Sequence, residues 1–348
     1  MKILVTGGAG FIGSHICLEL LSAGHSVIIV DNLNNSSEKT ILTICSIFNI
    51  ELNKDVNSEG RLSFFNFDIG SVSNLKELFL LNTIDTIIHC AGLKSPEESI
   101  REPLKYAENN ISASIVLLKE AMLSNVKNII FSSSASVYGA PKEMPITEDC
   151  LPNNISNPYA KTKLTIEGIL LDIQVANPSV SVICLRYFNP VGSHQSGLLG
   201  ENPKNPANNL LPRINDVVLE KQEKLCIYGD DYKTRDGTGV RDYIHVVDLA
   251  RGHLAALNYM SQKKINFDIF NLGRGKGTTV LELIAAYEEV SGKSIPIKFS
   301  KRRLGDSPES WASVDKAKEL LNWKAEYGLK RICEDNWRWL NSSNIIEN

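Results

Sequence analysis

The stretch that decides the fold is TGGAGFIG, residues 6–13, which follows the apolar residues 2–5. Its glycines Gly7, Gly10 and Gly13 recur at three-residue spacing directly before a helical pattern. Glycine loses more conformational entropy on folding than any other residue. The spacing therefore indicates a turn whose backbone approaches another group too closely for a Cβ.

Apolar strand-like runs alternate with helical patterns through the first half of the chain. The runs are KILVT from residue 2, SVIIVD from 26, LSFFNFD from 62, DTIIHCAG from 85, NIIFSSS from 128 and SVICLRYFN from 181. Helical patterns occur between most of them, including residues 111–124 and 160–174. Continuous apolar strands alternating with helices are typical of a parallel sheet covered on both faces. We expect an α/β fold, a doubly wound parallel sheet (Rossmann) with a smaller mixed α/β substrate domain.

The chain length and a change in composition predict two domains. A domain has roughly 100–200 residues, and the chain has 348. After about Tyr187 a stretch rich in Gly, Pro and Asn begins, followed by the strand-like KLCIYG, the helical VVDLARGHLAALNYM and the strand-like IFNLGRG. We expect a first domain over residues 1–186, with 236–262 returning to it, and a second domain over 187–348.

The composition of the chain argues against several kinds of partner and cofactor. The net charge is −3, the pI is about 6.1 and no long basic stretch occurs, so we expect neither a nucleic acid nor a membrane partner. Apolar runs stay below the ~20 residues of a membrane span, and the N-terminus does not resemble a signal peptide. Seven cysteines without a C-x-x-C pair indicate reduced thiols and a cytoplasmic location. The six histidines are scattered, and we expect no metal.

The glycine turn has the context of a dinucleotide site. Gly7 would permit the tight turn, Gly10 the approach of a pyrophosphate, and Gly13 close contact of helix and strand. Amides at the helix N-terminus would then face the phosphates. Asp31 closes the second strand near the ~20-residue offset of a ribose-binding acid. A carboxylate there repels a 2′-phosphate, so the pattern favours NAD.

A tyrosine and a lysine at helical spacing provide the candidate chemistry. Tyr159 and Lys163 are four residues apart in YAKTK, so their side chains are neighbours on a helix. A nearby ammonium and an oxidised nicotinamide both favour the phenolate, which makes Tyr159 a general base for a sugar hydroxyl. Ser132, Ser133 and Ser134 end an apolar strand at the edge where doubly wound sheets bind ligands. The order glycine turn, serines, Y-x-x-x-K favours catalysis over a structural reading.

With these motifs the sequence resembles the extended short-chain dehydrogenase/reductase family, and within it the UDP-galactose (UDP-glucose) 4-epimerases. The resemblance runs from Met1 to about Trp339. It rests on VTGGAGFIGSH, DNLNNS, IIHCAGLK, FSSSASVYG, NPYAKTK, LRYFNPVGSH, DGTGVRDYIHVVDLA and FNLGRG, in that order. The resemblance implies an isomerase with NAD as cofactor and a UDP-sugar as substrate.

The resemblance also implies a role for each matching residue. Tyr159 would be the base, Lys163 would bind the nicotinamide ribose, and Ser134 would hydrogen-bond the reacting oxygen. The residues implied for NAD are Gly7, Gly10, Phe11, Ile12, Asp31, Asn32, Asn35, Ser36, Asp68, Ile69, Ala91, Lys94, Asn109, Lys163 and Tyr187. Those implied for the nucleotide sugar are Ser134, Tyr159, Asn189, Asn209, Leu210, Tyr228, Arg241, Arg303, Asp306 and Ser310. Arginine suits such a site because its guanidinium binds phosphate bidentately.

The implied reaction inverts C4 of a UDP-hexose through a transient 4-keto sugar and consumes no net reductant. Related enzymes on this fold carry out other reactions. Sugar-nucleotide 4,6-dehydratases have an Asp-Glu pair where this chain has Ala135 and Ser136, which supply neither an acid nor a base. A decarboxylase would need a glutamate where this chain has Ser136. A reductase is possible, but the stretches of the sugar domain resemble those of reductases less well. A non-catalytic NAD-binding regulator remains the alternative from another class, although such proteins tend to lose the Tyr–Lys pair.

Ser310 is the departure that bears on substrate choice. Epimerases restricted to plain hexoses resemble this chain but have a tyrosine at the matching position. A small side chain would leave room beside C2 of the sugar, so we expect UDP-N-acetylglucosamine and UDP-N-acetylgalactosamine as additional substrates. The alternative is that neighbouring residues close the pocket, since one residue rarely determines its shape.

Two further expectations concern assembly and pathway. The helical patterns at residues 111–124 and 160–174 could pair across a homodimer, as in the family, or be buried within one subunit. Either galactose metabolism or polysaccharide biosynthesis would use the implied reaction.

Overall fold

A parallel sheet forms the centre of the protein in the computed structural model, which describes residues 1–54, 60–202, 204, 209–263, 265–303 and 306–342. The described strands are β1 Lys2–Thr6, β2 Ser26–Asp31, β3 Leu62–Asn66, β4 Thr86–His89, β5 Asn128–Ser134, β6 Ser181–Tyr187, β7 Asn189–Val191, β8 Leu225–Tyr228, β9 Val240–Arg241, β10 Tyr243–His245, β11 Phe267–Leu272, β12 Thr278–Thr279, β13 Ile297–Ser300 and β14 Glu309–Ser310. The described α-helices are α1 Phe11–Ser22, α2 Glu38–Phe48, α3 Val72–Leu81, α4 Pro96–Arg101, α5 Pro103–Tyr106, α6 Ala113–Leu123, α7 Pro158–Ala176, α8 Leu210–Val218, α9 Val246–Gln262, α10 Val280–Ser291, α11 Asp315–Leu320 and α12 Leu329–Leu340.

The order of strands in the large sheet is β3-β2-β1-β4-β5-β6-β11, and every neighbouring pair is parallel. This order confirms the predicted doubly wound Rossmann fold. The direction of winding reverses between β1 and β4, and ligands of such sheets bind outside the carboxyl ends of the strands at this point. Thr6 and His89 end these two strands and pair in register, so the glycine turn lies beside the residues that follow His89.

Helices cover both faces of this sheet, which explains why its strands are continuous apolar runs. On one face α1, α2 and α9 bury side chains such as Ile16, Ile41 and Leu249 against β1 and β2. On the other face α3 and α6 bury Leu75 and Leu117. Part of α6 and α7 covers β5 and β6 through a further buried cluster.

The second half of the chain contributes elements to both parts of the protein. Helix α9 packs against α1, within the region that we expected to return to the first domain. Strand β11 then pairs with β6 at the edge of the large sheet, although our division assigned it to the second domain. An apolar pattern predicts that a segment is a strand, but it contains no information about which sheet the strand joins.

A second core lies among α8, α10, α12 and the two-stranded pair β8 and β13. Its buried side chains include Leu211, Ile214, Leu283, Tyr287 and Ile332. A small sheet of β12, β9 and β14 lies beside it. This part of the chain carries most of the residues that we predicted to bind a nucleotide sugar.

The helix predicted over residues 111–124 differs from the structure at its start. Six residues, Ala107–Ser112, form a π-helix that continues directly into α6. A π-turn inserts one extra residue into a helix and often marks a functional site. Here it contains Asn109 and buries Asn110, whose side chain hydrogen-bonds the backbone of Leu93 and, at 3.0 Å, the hydroxyl of Thr162 on α7.

A buried ion pair attaches α7 to the sheet. Glu167 on α7 and Arg186 on β6 meet at 2.7 Å, and each side chain is almost wholly removed from solvent. Ser133 donates a hydrogen bond to the same carboxylate. Because Glu167 lies one turn after Lys163, this pair holds that part of α7 in place against β5 and β6.

None of the helices in the described part of the chain combines the length and the apolar character that a membrane span requires.

Candidate active site

The glycine turn is shaped to admit a phosphate group. Gly7 has a φ of +70°, and a Cβ there would lie 2.8 Å from the backbone nitrogen of Ala91. A Cβ on Gly13 would lie 2.8 Å from Cα of Gly8 and closer still to the carbonyl oxygen of Gly7. Gly10 precedes α1 and offers no side-chain cap to it. The turn therefore presses against β4 and α1, while uncapped amides at the start of α1 remain for an anion. These features fit the pyrophosphate of a dinucleotide.

Asp31 connects the end of β2 to the glycine turn. Its carboxylate accepts hydrogen bonds from the amide of Ala9 at 3.0 Å, the amide of Leu33 at 2.9 Å and the hydroxyl of Ser36 at 2.8 Å. Three donors fix the orientation of an acceptor that is half-buried at the carboxyl edge of the sheet. Such a carboxylate fits the ribose hydroxyls of NAD and repels a 2′-phosphate.

The other residues predicted for the adenosine end lie on neighbouring segments of the same edge. Asn32 donates to the carboxylate of Asp68 at 2.7 Å, and Asp68 also accepts the amide of Gly70. Asp68 and Asn109 line a surface cavity of about 390 Å³. Ile69 is buried in the core and Asn35 is exposed.

Lys163 projects from α7 into a buried position behind the end of β5. Its Nζ donates to the carbonyl oxygen of Ser132 at 2.9 Å and lies 4.8 Å from the centre of the Phe131 ring. Burial lowers the pKa of Lys163 to about 8, and the Cys90 and Glu167 side chains oppose the shift. The ammonium is therefore held in one place and is still mostly protonated near neutral pH.

Tyr159 lies one turn before Lys163, and its hydroxyl pairs with Ser134. Burial raises the pKa of Tyr159, and the hydrogen bond to Ser134 opposes the rise. The Tyr159–Lys163 spacing predicts that the Lys163 ammonium favours the phenolate. In the structure that ammonium is anchored on the Ser132 carbonyl, and the removal of the phenol from water has the larger effect.

Ser134 has a hydroxyl partner that the sequence argument did not consider. It ends β5, and its Oγ bonds to Oγ of Ser136 and accepts the Ser136 amide at 3.2 Å. In the sequence, Ser136 is notable only as a position that supplies neither the acid nor the base of a dehydratase. Its position two residues after Ser134, at the start of a 3₁₀ turn, is the signal that would have identified it.

Tyr187 belongs to a buried polar chain next to Lys163. Its hydroxyl bonds to Oγ of Ser132 at 2.6 Å and to Nε2 of His253, and Ser132 Oγ lies 2.9 Å from Sγ of Cys90. Burial raises the pKa of Tyr187 well above its ordinary value. The hydroxyl is therefore neutral and used within the protein, so a cofactor contact from Tyr187 must come from its backbone or ring.

Arginines surround an aromatic ring on the predicted nucleotide-sugar side. The guanidinium carbons of Arg303 and Arg213 lie 4.1 Å and 5.3 Å from the ring centre of Tyr228. Arg241 on β9 pairs with Asp306 and also donates to the carbonyl oxygen of Val240. A cluster of guanidinium groups with an aromatic face suits a diphosphate and a base. Arg213 is a further candidate at this ring, and no motif in the sequence indicates it.

Ser310 lies in β14 opposite Arg241. The two residues pair in register, and the Ser310 carbonyl accepts the amide of Asp242 at 3.1 Å. The side chain is half-buried. The small residue thus belongs to the strand pair that carries the predicted diphosphate-binding arginine.

One contact joins the two groups of predicted residues. Lys94, predicted for the cofactor, lies 2.9 Å from Oε1 of Glu201, and Asn209, predicted for the sugar nucleotide, donates to the same oxygen at 2.8 Å. Leu210 begins α8 directly after Asn209, and Asn189 is exposed at the start of β7. Sequence reasoning missed Glu201, and no local pattern relates it to a lysine 107 positions earlier.

Comparisons with known proteins agree with this geometry. The model of the NAD dependent epimerase/dehydratase family matches residues 3–273. The UDP-glucose 4-epimerase of Bacillus subtilis (strain 168) is 47% identical over 348 residues, 99% of this chain and 98% of that protein. The structure of UDP-glucose 4-epimerase from Bifidobacterium longum in complex with NAD+ and UDP has a TM-score of 0.92 at 44% identity, with 99% of each chain covered. The UDP-Glc/GlcNAc 4-epimerase from Campylobacter jejuni has a TM-score of 0.82 at 34% identity, with 97% of this chain and 98% of that chain covered.

Proposed function

The chain belongs to the NAD dependent epimerase/dehydratase family, and we infer from this that it is an NAD-dependent UDP-glucose 4-epimerase. Its relatives are named UDP-glucose 4-epimerases, and inversion of C4 converts glucose to galactose, so the chain is an isomerase that interconverts UDP-glucose and UDP-galactose. The structural observation that supports the same inference is the assembly of Tyr159, Lys163 and Ser134 at the carboxyl edge of the sheet, beside a glycine turn that fits a dinucleotide.

Tyr159 is the residue that we propose to move the proton. As a phenolate it removes the proton of the sugar 4-hydroxyl, and as a phenol it returns that proton, so no proton is consumed overall. When bound, NAD supplies a hydride acceptor for C4 and a positive charge that favours the phenolate. Ser134, held by Ser136, orients the reacting oxygen, and Lys163 holds the nicotinamide ribose from its anchor on Ser132.

The remaining residues divide between the two ligands in our proposal. Residues 1–186 with 236–262 form the NAD-binding domain, where Asp31 holds the adenosine ribose and Lys94 contacts the cofactor. Residues 187–348 bind the nucleotide sugar, with Arg241 and Arg303 on the diphosphate and Tyr228 beside the base. The sugar needs fewer contacts than the nucleotide, because the 4-keto sugar must turn to present its other face before C4 is reduced.

The direct test of this function is an assay without added reductant. The purified protein with its bound cofactor should convert UDP-galactose to UDP-glucose and reach the same final mixture from either sugar. Failure to convert either sugar, with a full complement of NAD, would reject the proposal. A dehydrated 4-keto-6-deoxy product would instead indicate a 4,6-dehydratase, for which Ala135 and Ser136 provide no carboxylate.

We propose a wider substrate range on account of Ser310. Ser310 pairs in register with Arg241, its side chain is much smaller than a tyrosine, and a relative in Campylobacter jejuni is named for UDP-Glc and GlcNAc together. UDP-N-acetylglucosamine and UDP-N-acetylgalactosamine would then also be substrates, because a 2-acetamido group would take the volume that a tyrosine side chain fills.

The substitution Ser310→Tyr should narrow this range. We expect kcat/KM for the N-acetylated pair to fall by at least about tenfold, while that for the plain pair changes by less than about threefold, since the new ring excludes only the larger sugar. The ratio of the two kcat/KM values is the measurement, and Ser310→Ala is the matched control that keeps the side chain small. If N-acetylated turnover survives in Ser310→Tyr, the pocket argument is wrong.

We also propose a homodimer that buries an apolar surface around α5, α6 and α7. Leu104, Ile115, Leu171 and Val175 on these helices have 77%, 45%, 42% and 68% of their surface exposed, which is much for large apolar side chains. In the dimer these helices would pair with their copies in the partner. Sedimentation at about twice the chain mass of 38.5 kDa supports this assembly, and a single-chain mass excludes it.

A cytoplasmic location is the last part of the proposal. All seven cysteines are free, and free thiols are typical of a reducing compartment. Fractionation of the source cells would test it, and recovery of the protein outside the cytoplasm would contradict it.

A further inference from the structure

Glu201 occupies a buried position between the two predicted ligand sites. Only 7% of its side chain is exposed. Its Oε1 accepts one hydrogen bond from Nζ of Lys94 at 2.9 Å and another from Nδ2 of Asn209 at 2.8 Å. One carboxylate oxygen thus connects a cofactor residue that follows β4 with a substrate residue that precedes α8.

The position of Glu201 is set by the packing of its neighbour Gly200. A Cβ on Gly200 would lie 2.6 Å from Oγ of Ser193 and closer still to the ring of Trp339. Ser193 is fully buried, and Trp339 is nearly so. The backbone that carries Glu201 therefore lies directly against a buried part of α12, and its carboxylate has little freedom to move.

A fixed carboxylate can orient the Lys94 and Asn209 side chains and still leave some of their N–H groups available for a ligand. An ammonium group has three N–H donors and a primary amide has two. After each has given one to Glu201, Lys94 keeps two donors and Asn209 keeps one, together with its carbonyl oxygen. Among the described residues the Asn209 side chain makes no cap to α8, and the hydrogen bond to Glu201 sets the position of its amide.

We propose that Glu201 is a positioning residue that holds Lys94 and Asn209 ready for their ligands, so that one carboxylate sets the affinity for both NAD and the UDP-sugar. The proposal rests on the function inferred above, in which Lys94 contacts the cofactor and Asn209 the nucleotide sugar. The simplest alternative is that Glu201 lowers the affinity for both ligands. A buried negative charge near two anionic ligands would repel them, and its removal would tighten both.

The test compares Glu201→Ala and Glu201→Gln with the wild type in three measurements. These are the NAD retained per chain after gel filtration, the Kd for UDP by calorimetry, and the separate values of KM and kcat with UDP-galactose. We expect Glu201→Ala to weaken NAD retention and UDP binding together, each on the order of tenfold, and to raise KM more than it lowers kcat at saturating NAD. Glu201→Gln should recover part of both, because its amide oxygen still accepts a hydrogen bond.

Variants of Lys94 and Asn209 separate the effect on NAD binding from the effect on UDP binding. Lys94→Met should weaken NAD retention alone, and Asn209→Ala should weaken UDP binding alone. In the Lys94→Met background, Glu201→Ala should have no further effect on NAD retention. Glu289→Ala is the matched control, because Glu289 forms an exposed pair with Lys330 at 3.7 Å and its loss should change neither ligand.

The results that overturn the proposal are distinct from those that overturn the function. If Glu201→Ala changes the affinity for only one ligand, tightens both, or lowers thermal stability while both affinities stay as in the wild type, Glu201 does not position the two donors. If the wild type with bound NAD fails to convert UDP-galactose, the inferred function fails, whatever the binding measurements on the variants show.

Discussion

Replacing Tyr159 with phenylalanine should leave a folded protein that keeps its NAD and turns over UDP-galactose slower by a factor of about 10²–10⁴. That range is the usual contribution of a general acid–base residue. The substitution removes one oxygen and keeps the ring, so α7 and its anchor through Glu167 and Arg186 remain intact. Ser134 keeps its bond to Ser136, but neither hydroxyl can take a proton as readily as a phenolate.

The measurement is kcat together with bound NAD per chain and the thermal midpoint. Tyr259→Phe serves as the control, because this ring packs edge-on against Phe270 outside the site. Wild-type kcat in Tyr159→Phe would show that another group moves the proton. If kcat falls together with the bound NAD or the thermal midpoint, Tyr159 supports the fold or the cofactor site and is not shown to transfer the proton.

Substituting alanine at Gly13 and at Gly10 should produce two different defects, although both residues belong to one turn. At Gly13 the new Cβ meets the backbone of Gly7 and Gly8. The turn or α1 must then move, at a cost typical of overpacking, about 1–3 kcal/mol. At Gly10 the new Cβ has only the carbonyl oxygen of Gly7 nearby, at 3.2 Å. The fold should accept this methyl group, but a pyrophosphate should not.

We therefore expect Gly13→Ala to lose both stability and NAD, and Gly10→Ala to lose NAD with a nearly unchanged free energy of unfolding. Denaturant titration of the NAD-free proteins gives the stability, and retained NAD per chain gives the affinity. Equal losses of stability in the two variants would contradict this division, as would full NAD retention in Gly10→Ala.

Apolar periodicity and residue spacing along the chain predicted the strands of the large sheet and the neighbouring side chains on α7. The apolar run before the glycines became β1, SVIIVD became β2 and NIIFSSS became β5 with the predicted ends. The alternation of such runs with helices was sufficient to predict the doubly wound sheet, because strands buried on both faces have no polar side. The Tyr159–Lys163 spacing likewise predicted two neighbouring side chains on α7.

Features that depend on contacts distant in sequence could not be predicted in this way. Strand β11 joins the large sheet although 79 residues, 188–266, lie between the end of β6 at Tyr187 and the start of β11 at Phe267, and part of the second core comes from this interval. The pKa of Tyr159 follows from burial, which spacing does not report. The bond of Glu201 to Lys94 joins two loops, and loops carry no periodicity from which a partner could be inferred.

The path of the chain between its two parts limits how they can move. The chain leaves the large sheet at the end of β6, returns as α9 and β11, and leaves again after Leu272. Domains that swing apart do so about a few connecting residues, whereas here several separate crossings tie the parts together. We therefore expect the two parts to keep a nearly constant spacing during turnover, so that the side chains facing the sugar, and not a closing motion, select the hexoses that are converted.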